Sequence, residues 1–305
     1  MEYFSEVEKG YMPRMKDEIP HNVWCELASF FKILVDKGSF GEDFPAHCPD
    51  GQGCYGTDEK AFVLALKAEI INLEWPLVTT KDEDDPESCW TPKTVPFTPD
   101  YLDVLDLIQF CYKHVAKPEK GSFHPYYGHY HLISFDRDTA RSEFLEKIEI
   151  LFRRNGLAYE LKKDGSILRV LNPSLKTLVS RKTDSLDQEL NHLIVRANGK
   201  ITHPDVQVRY DALKELWDGF ERAKTVFSPS ENKKTSATKL LNELSSEPSF
   251  REHLESESKI LTEIGNSYFI RHSEVTQIKL KDSDHIEYLF HRLASFLNLL
   301  TKKLG

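Results

Sequence analysis

Apolar positions fall at helical spacing in most of this chain. From His21 the run V-W-C-E-L-A-S-F-F-K-I-L-V repeats every three or four residues and stops near Gly38, a helix stop signal. Thr57-Asp58-Glu59-Lys60 reads as a start signal for A-F-V-L-A-L-K-A-E-I-I-N-L, and Pro76 ends any register there. Pro99 or Asp100 opens a third helix, with Leu102, Leu105, Ile108 and Tyr112 on one stripe, and residues 138–155 make a fourth. Beyond 184 the spacing predicts helices only. They cover about 185–197, 204–227, 235–246, 248–264 and 283–303, and Gly265-Asn266 reads as a break. Leu213, Leu216, Trp217 and Phe220 mark one strong stripe, and Leu289, Phe290, Leu293 and Phe296 mark the last.

The alternating pattern is confined to the first part of the chain. His129–Phe135 reads as a strand. L-A-Y-E-L-K-K-D-G-S-I-L-R-V gives two runs around an Asp-Gly turn, the clearest hairpin. Residues 1–20 read as irregular, the proline- and glycine-rich segment 41–56 as loop, and 80–99, with its D-E-D-D-P-E run, as an exposed connection. A basic helix or loop is expected over 172–183. The expected fold is mainly α: an α+β domain over 1–183 with a β-hairpin, followed by a helical bundle over 184–305. A helix followed by a hairpin bearing Lys162, Lys163 and Arg169 resembles the end of a winged-helix unit.

At 305 residues the chain is long enough for two domains. It contains no run of 18 apolar residues, and its acidic start lacks the apolar stretch of a signal peptide, so a cytoplasmic protein without a membrane span is expected. Its five cysteines, with no C-x-x-C pair, fit free thiols in a reducing compartment. The net charge of −9 is unevenly spread. Residues 1–100 hold 9 Lys+Arg against 20 Asp+Glu, whereas 153–182 hold 8 against 2. An acidic protein is a poor general nucleic-acid ligand, so phosphate contact would fall to the local basic segment: Arg153, Arg154, Lys162, Lys163 and Arg169.

Three groups of residues carry candidate chemistry. The first is the polar stretch Asn266, Arg271, His272 and Glu274, set between two amphipathic helices. Histidine suits proton transfer near neutral pH and arginine stabilises phosphoryl charge, the roles needed for phosphodiester cleavage without metal. On the residues alone, a hydrogen-bond brace for the bundle is the favoured reading of Arg271, His272 and Glu274. The second group is His124, His129 and His131, whose H-x-H pair places two imidazoles on one strand face, a spacing metals use. No carboxylate follows at short range, so an aromatic strand with ordinary histidines is the reading and a metal hydrolase the alternative. The third, His47, Cys48 and Cys54, lacks the paired spacing of a zinc site, and no metal is expected there.

The stretches L-W-D-G-F-E-R-A-K-T, L-T-E-I-G-N-S-Y-F-I-R-H-S-E and H-I-E-Y-L-F-H-R-L-A-S-F-L-N-L-L resemble the HEPN-type domains of bacterial abortive-infection (AbiJ-like) proteins. The opening F-S-E-V-E-K-G-Y-M-P-R is similar to the start of some of them. The resemblance implies a helical bundle, a homodimer formed through it, and metal-independent cleavage of RNA, with no cofactor. His272 would be the general base and Arg271 the phosphate clamp. Only His272 matches the family motif by position; Gly265, Asn266 and Ser267 stand where its arginine belongs. A non-catalytic bundle used for dimerisation or binding is the alternative.

Overall fold

A computed structural model describes residues 3–84, 92–182, 185–268, 270 and 277–304, and the chain divides into two compact units, Met1–Leu168 and Arg169–Gly305. Among the described residues, no helix is long and apolar enough to cross a membrane.

The first unit opens with α1 (Phe4–Lys9), in a region expected to be irregular. Its long helices are α2 (His21–Asp36), α3 (Glu59–Glu69), α4 (Tyr101–His114) and α5 (Arg137–Asn155). Aspartates start three of them. Asp58 accepts from Lys60 N and Ala61 N, Asp100 from Leu102 N, and Asp136 from Thr139 N, satisfying amides that the first turn leaves open. The helices bury a ring-rich core including Trp24, Phe31, Phe62, Phe144 and Phe152, each side chain worth about 1.5–3 kcal/mol of transfer energy. Trp24 satisfies its indole N–H by donating to Val78 O at 2.9 Å.

Two segments expected as connections are strands. β1 (Pro45–His47) and β2 (Cys54–Thr57) join β5 (Lys117–His124) and β6 (His129–Asp136) in a four-stranded antiparallel sheet of order β1-β2-β6-β5. The acidic stretch contributes β3 (Thr80–Glu83) and β4 (Lys93–Pro96), paired as a separate ribbon. β5 reads K-P-E-K-G-S-F-H and looks unlike a strand because it is an edge: Pro118 is tolerated there, and a bulge interrupts it after Lys120. Gly121 is required at that bulge, since a Cβ would lie 2.4 Å from Ile133 Cγ2. The Asp-Gly hairpin forms as expected, as β7 (Tyr159–Leu161) and β8 (Ile167–Arg169).

The second unit is helical: α6 (Pro173–Val179), α7 (Gln188–Lys200), α8 (Val206–Val226), α9 (Lys233–Leu244), α10 (Pro248–Ser267) and α11 (Ser283–Thr301). Leu171 and Leu175 already pack into its core with Leu213, Trp217, Phe220 and Phe290, which is why the contact boundary lies before them. Gly265 does not break a helix. α10 continues through it to Ser267, and the glycine is there because a Cβ would sit 2.3 Å from Trp217 Nε1. Close packing onto an indole outweighs the roughly 1 kcal/mol that glycine costs inside a helix.

Candidate functional site

Of the four residues singled out between the last two helices, Asn266 lies on the final turn of α10, exposed, with its carbonyl accepting from Gln277 Nε2 at 2.7 Å. Tyr268 and Ile278 form a parallel bridge just beyond it. Arg271, His272 and Glu274 lie outside the described residues.

The basic segment is largely engaged. Arg153 donates from Nε to Glu6 at 2.9 Å and lies 5.1 Å over the Tyr11 ring, and Arg154 sits 3.9 Å over the Tyr3 ring. Lys162 is 2.7 Å from Glu160. Lys163 is exposed. Arg169 turns inward: it is 5% exposed and donates to Glu287 and to Ser283 Oγ, both at 3.2 Å.

A third group converges that sequence spacing only half revealed. The β1–β2 loop turns at Gly51 and Gly53, both at positive φ (77° and 117°), where a side chain would be strained. Cys48 N donates to Gly53 O at 2.8 Å and Gly51 N to Cys48 O at 2.9 Å, closing the loop. This closure presents Cys48 and Asp50 together. On the sheet, His124 pairs with His129 across β5 and β6, and His131 follows on the same face as His129. Cys48, Asp50, His124 and His131 each offer a ligand atom within 4.8 Å of the others. His124 Nε2 lies 2.7 Å from Asp50 Oδ2.

His129 stands outside that set, stacked on Tyr55 at 4.4 Å and on Tyr127 at 5.9 Å. Cys54 is turned away as well, its thiol directed at Gly56 O at 3.2 Å. Thus each histidine or cysteine trio in the sequence contributes only part of itself, and Asp50 was missed. The available signal was the Pro-Asp-Gly turn that directly follows Cys48.

The electrostatics follow from these contacts. The hydrogen bond from the Cys48 thiol, then those from Gln52 N–H and His124, hold the Asp50 carboxyl down to about 2. Burial, then the Asp50 carboxylate, pushes the Cys48 thiol up. Burial and the neighbouring His131 and His124 lower His129. Three ring nitrogens, His124 Nδ1, His129 Nε2 and His131 Nε2, are buried with no hydrogen-bond partner.

The model of AbiJ N-terminal domain 4 matches residues 2–185, more than half of the chain. The chain belongs to this family. No curated protein and no solved structure matches it. The AbiJ-type domain therefore includes the sheet, the Cys48–Asp50–His124–His131 group and the basic hairpin, and its match ends just before α7.

Proposed function

We propose that the chain fills the abortive-infection, phage-defence role to which its AbiJ-type domain points, and does so by acting on RNA, with that domain sensing or binding and the helical unit working as a HEPN-like, metal-independent ribonuclease. The observation that carries this reading is the pairing of an AbiJ N-terminal domain with a helical unit whose two long helices, α10 and α11, flank the segment bearing His272. In that scheme His272 takes the proton of the ribose 2′-hydroxyl, Arg271 neutralises charge on the phosphate, and Glu274 and Asn266 orient the pair. A homodimer through the helical unit would bring two such segments together. Hairpin β7–β8 follows α5 as a wing follows its helix, and Lys162 and Lys163, with Arg153 and Arg154, would track the RNA backbone. Arg169 would serve as their internal anchor.

The test is RNA cleavage by the purified chain in excess EDTA. Cleavage abolished in His272→Ala, with helix content and oligomeric state unchanged, supports the reading. Undiminished cleavage in that variant overturns it. Retained RNA binding or dimerisation without any cleavage in the parent protein would instead make the helical unit a non-catalytic module.

A further inference from the structure

We propose that Cys48, Asp50, His124 and His131 bind one zinc ion, which pins the β1–β2 loop onto the β5–β6 hairpin of the AbiJ-type domain. The first support is convergence. Four ligand atoms of zinc-binding type lie within 4.8 Å of one another, although Asp50 and His124 are 74 positions apart. Ligands 2.0–2.3 Å from a tetrahedral ion stand about 3.3–3.8 Å from each other, so contraction by roughly 1 Å, within reach of side-chain rotation, closes the shell.

The second support is independent of those distances. His131 Nε2 and His124 Nδ1 are buried without a hydrogen-bond partner. A buried ring nitrogen left bare is unfavourable, because it has lost its water and gained no partner. A cation at this spot accepts a lone pair from each histidine and leaves the second nitrogen of each ring to donate.

The donor set selects the ion. A thiolate and two imidazoles exclude calcium and magnesium, which take oxygen ligands, and suit zinc. Charge also closes: the Cys48 thiolate and the Asp50 carboxylate together offset the two positive charges of the ion, and both histidines enter neutral. The Cys48 thiol gives its proton to solvent as the Zn–S bond forms, so binding weakens as pH falls and protons compete for sulfur and imidazole. Four protein ligands leave no open position for water, the pattern of a structural rather than a hydrolytic zinc. The ion would act as a cross-link in the domain, with His129 stacked beside it rather than bound to it.

The full chain, purified on a tag that contains no histidine, provides the test. Elemental analysis is expected to give roughly one zinc per chain. Cys48→Ser and His131→Ala should each lower that at least tenfold, while His129→Ala keeps it. So that a misfolded Cys48→Ser leaves the proposal testable, the parent protein is also stripped and titrated with cobalt. Thiolate-to-cobalt absorption and four-coordinate visible bands, displaced by stoichiometric zinc, are the expected spectrum. A parent chain that carries no zinc and takes up none overturns the proposal. So do full zinc occupancy in Cys48→Ser and His131→Ala, loss of the ion in His129→Ala, or a cobalt spectrum without thiolate bands.

Discussion

The two units place their polar groups in opposite ways. In the helical unit several cations are anchored on specific partners. Buried Arg169 meets Glu287, buried Arg209 donates to Ser283 Oγ at 2.7 Å and to the carbonyls of His203 and Pro204, and the partly exposed Arg222 grips Asp187 through Nε and Nη2 at 2.6 and 2.8 Å. In the AbiJ-type domain the interior is aromatic, cations sit at its margin, and the notable polar group gathers at one end of the sheet with three unpartnered histidine nitrogens clustered together. Paired buried charge holds helices in register. A cluster of ligand-type side chains with spare lone pairs is arranged for something that comes from outside.

The sharpest way to break this contrast is through the aromatic interior. Phe62→Ala removes a fully buried ring that packs against Phe40, Phe44, Trp75 and Phe110, and should cost about 3–5 kcal/mol. Hydrogen exchange in α3 and α4 would report it, and a loss under 1 kcal/mol would mean the ring is dispensable. Next comes the internal pair. Arg169→Leu strands Glu287, which keeps partial access to water, so about 2–3 kcal/mol should be lost from the helical unit. Adding Glu287→Leu should restore most of it, and an additive double variant would show that the pair is not coupled. Gly265→Ala gains helix propensity but drives a methyl into Trp217, for a net loss of about 1–2 kcal/mol measured by urea denaturation. Removing the Asp58 cap, as Asp58→Ala, should cost about 1 kcal/mol.

The smallest effect is a titration. The Asp50 carboxyl in the folded protein is held down to about 2, below its ordinary value. Its contribution to stability is therefore complete above the ordinary carboxylate range, near pH 4, and is lost as pH falls through about 2. Carbon-13 NMR of the side chain should find that low midpoint in metal-free protein, and Cys48→Ala, which leaves no donor, should move it up, since the thiol hydrogen bond is its largest cause. A midpoint near 4 in the parent would contradict the contacts drawn at this end of the sheet.

Helices were legible in the sequence because each carries its own start signal and stripe: Asp58, Asp100 and the Leu213–Phe220 face all sit where their spacing put them. β1 and β2 were not, being three and four residues long inside a proline- and glycine-rich segment, too short for alternation to show. Gly265 misled for a different reason. A glycine in a helical pattern signals a break unless the residue facing it is known, and Trp217 lies on another helix. The polar group at the sheet was half legible. The H-x-H spacing pointed to His131, but its carboxylate arrives from a loop far upstream, and only the β2–β6 pairing brings the two together.

That pairing has a kinetic corollary. Strands β1 and β2 close around one short glycine turn, and β5 and β6 around another at Gly128, so each hairpin can form from local chain in microseconds. Cys54 with Leu132 is the register pair joining them, and α3 and α4 must be accommodated between the two hairpins before it forms. Long-range closure of this kind is the slow part of folding. The Cys48–Asp50–His124–His131 group thus exists only after the two halves of the sheet have met, and a probe of its assembly would time that long-range closure.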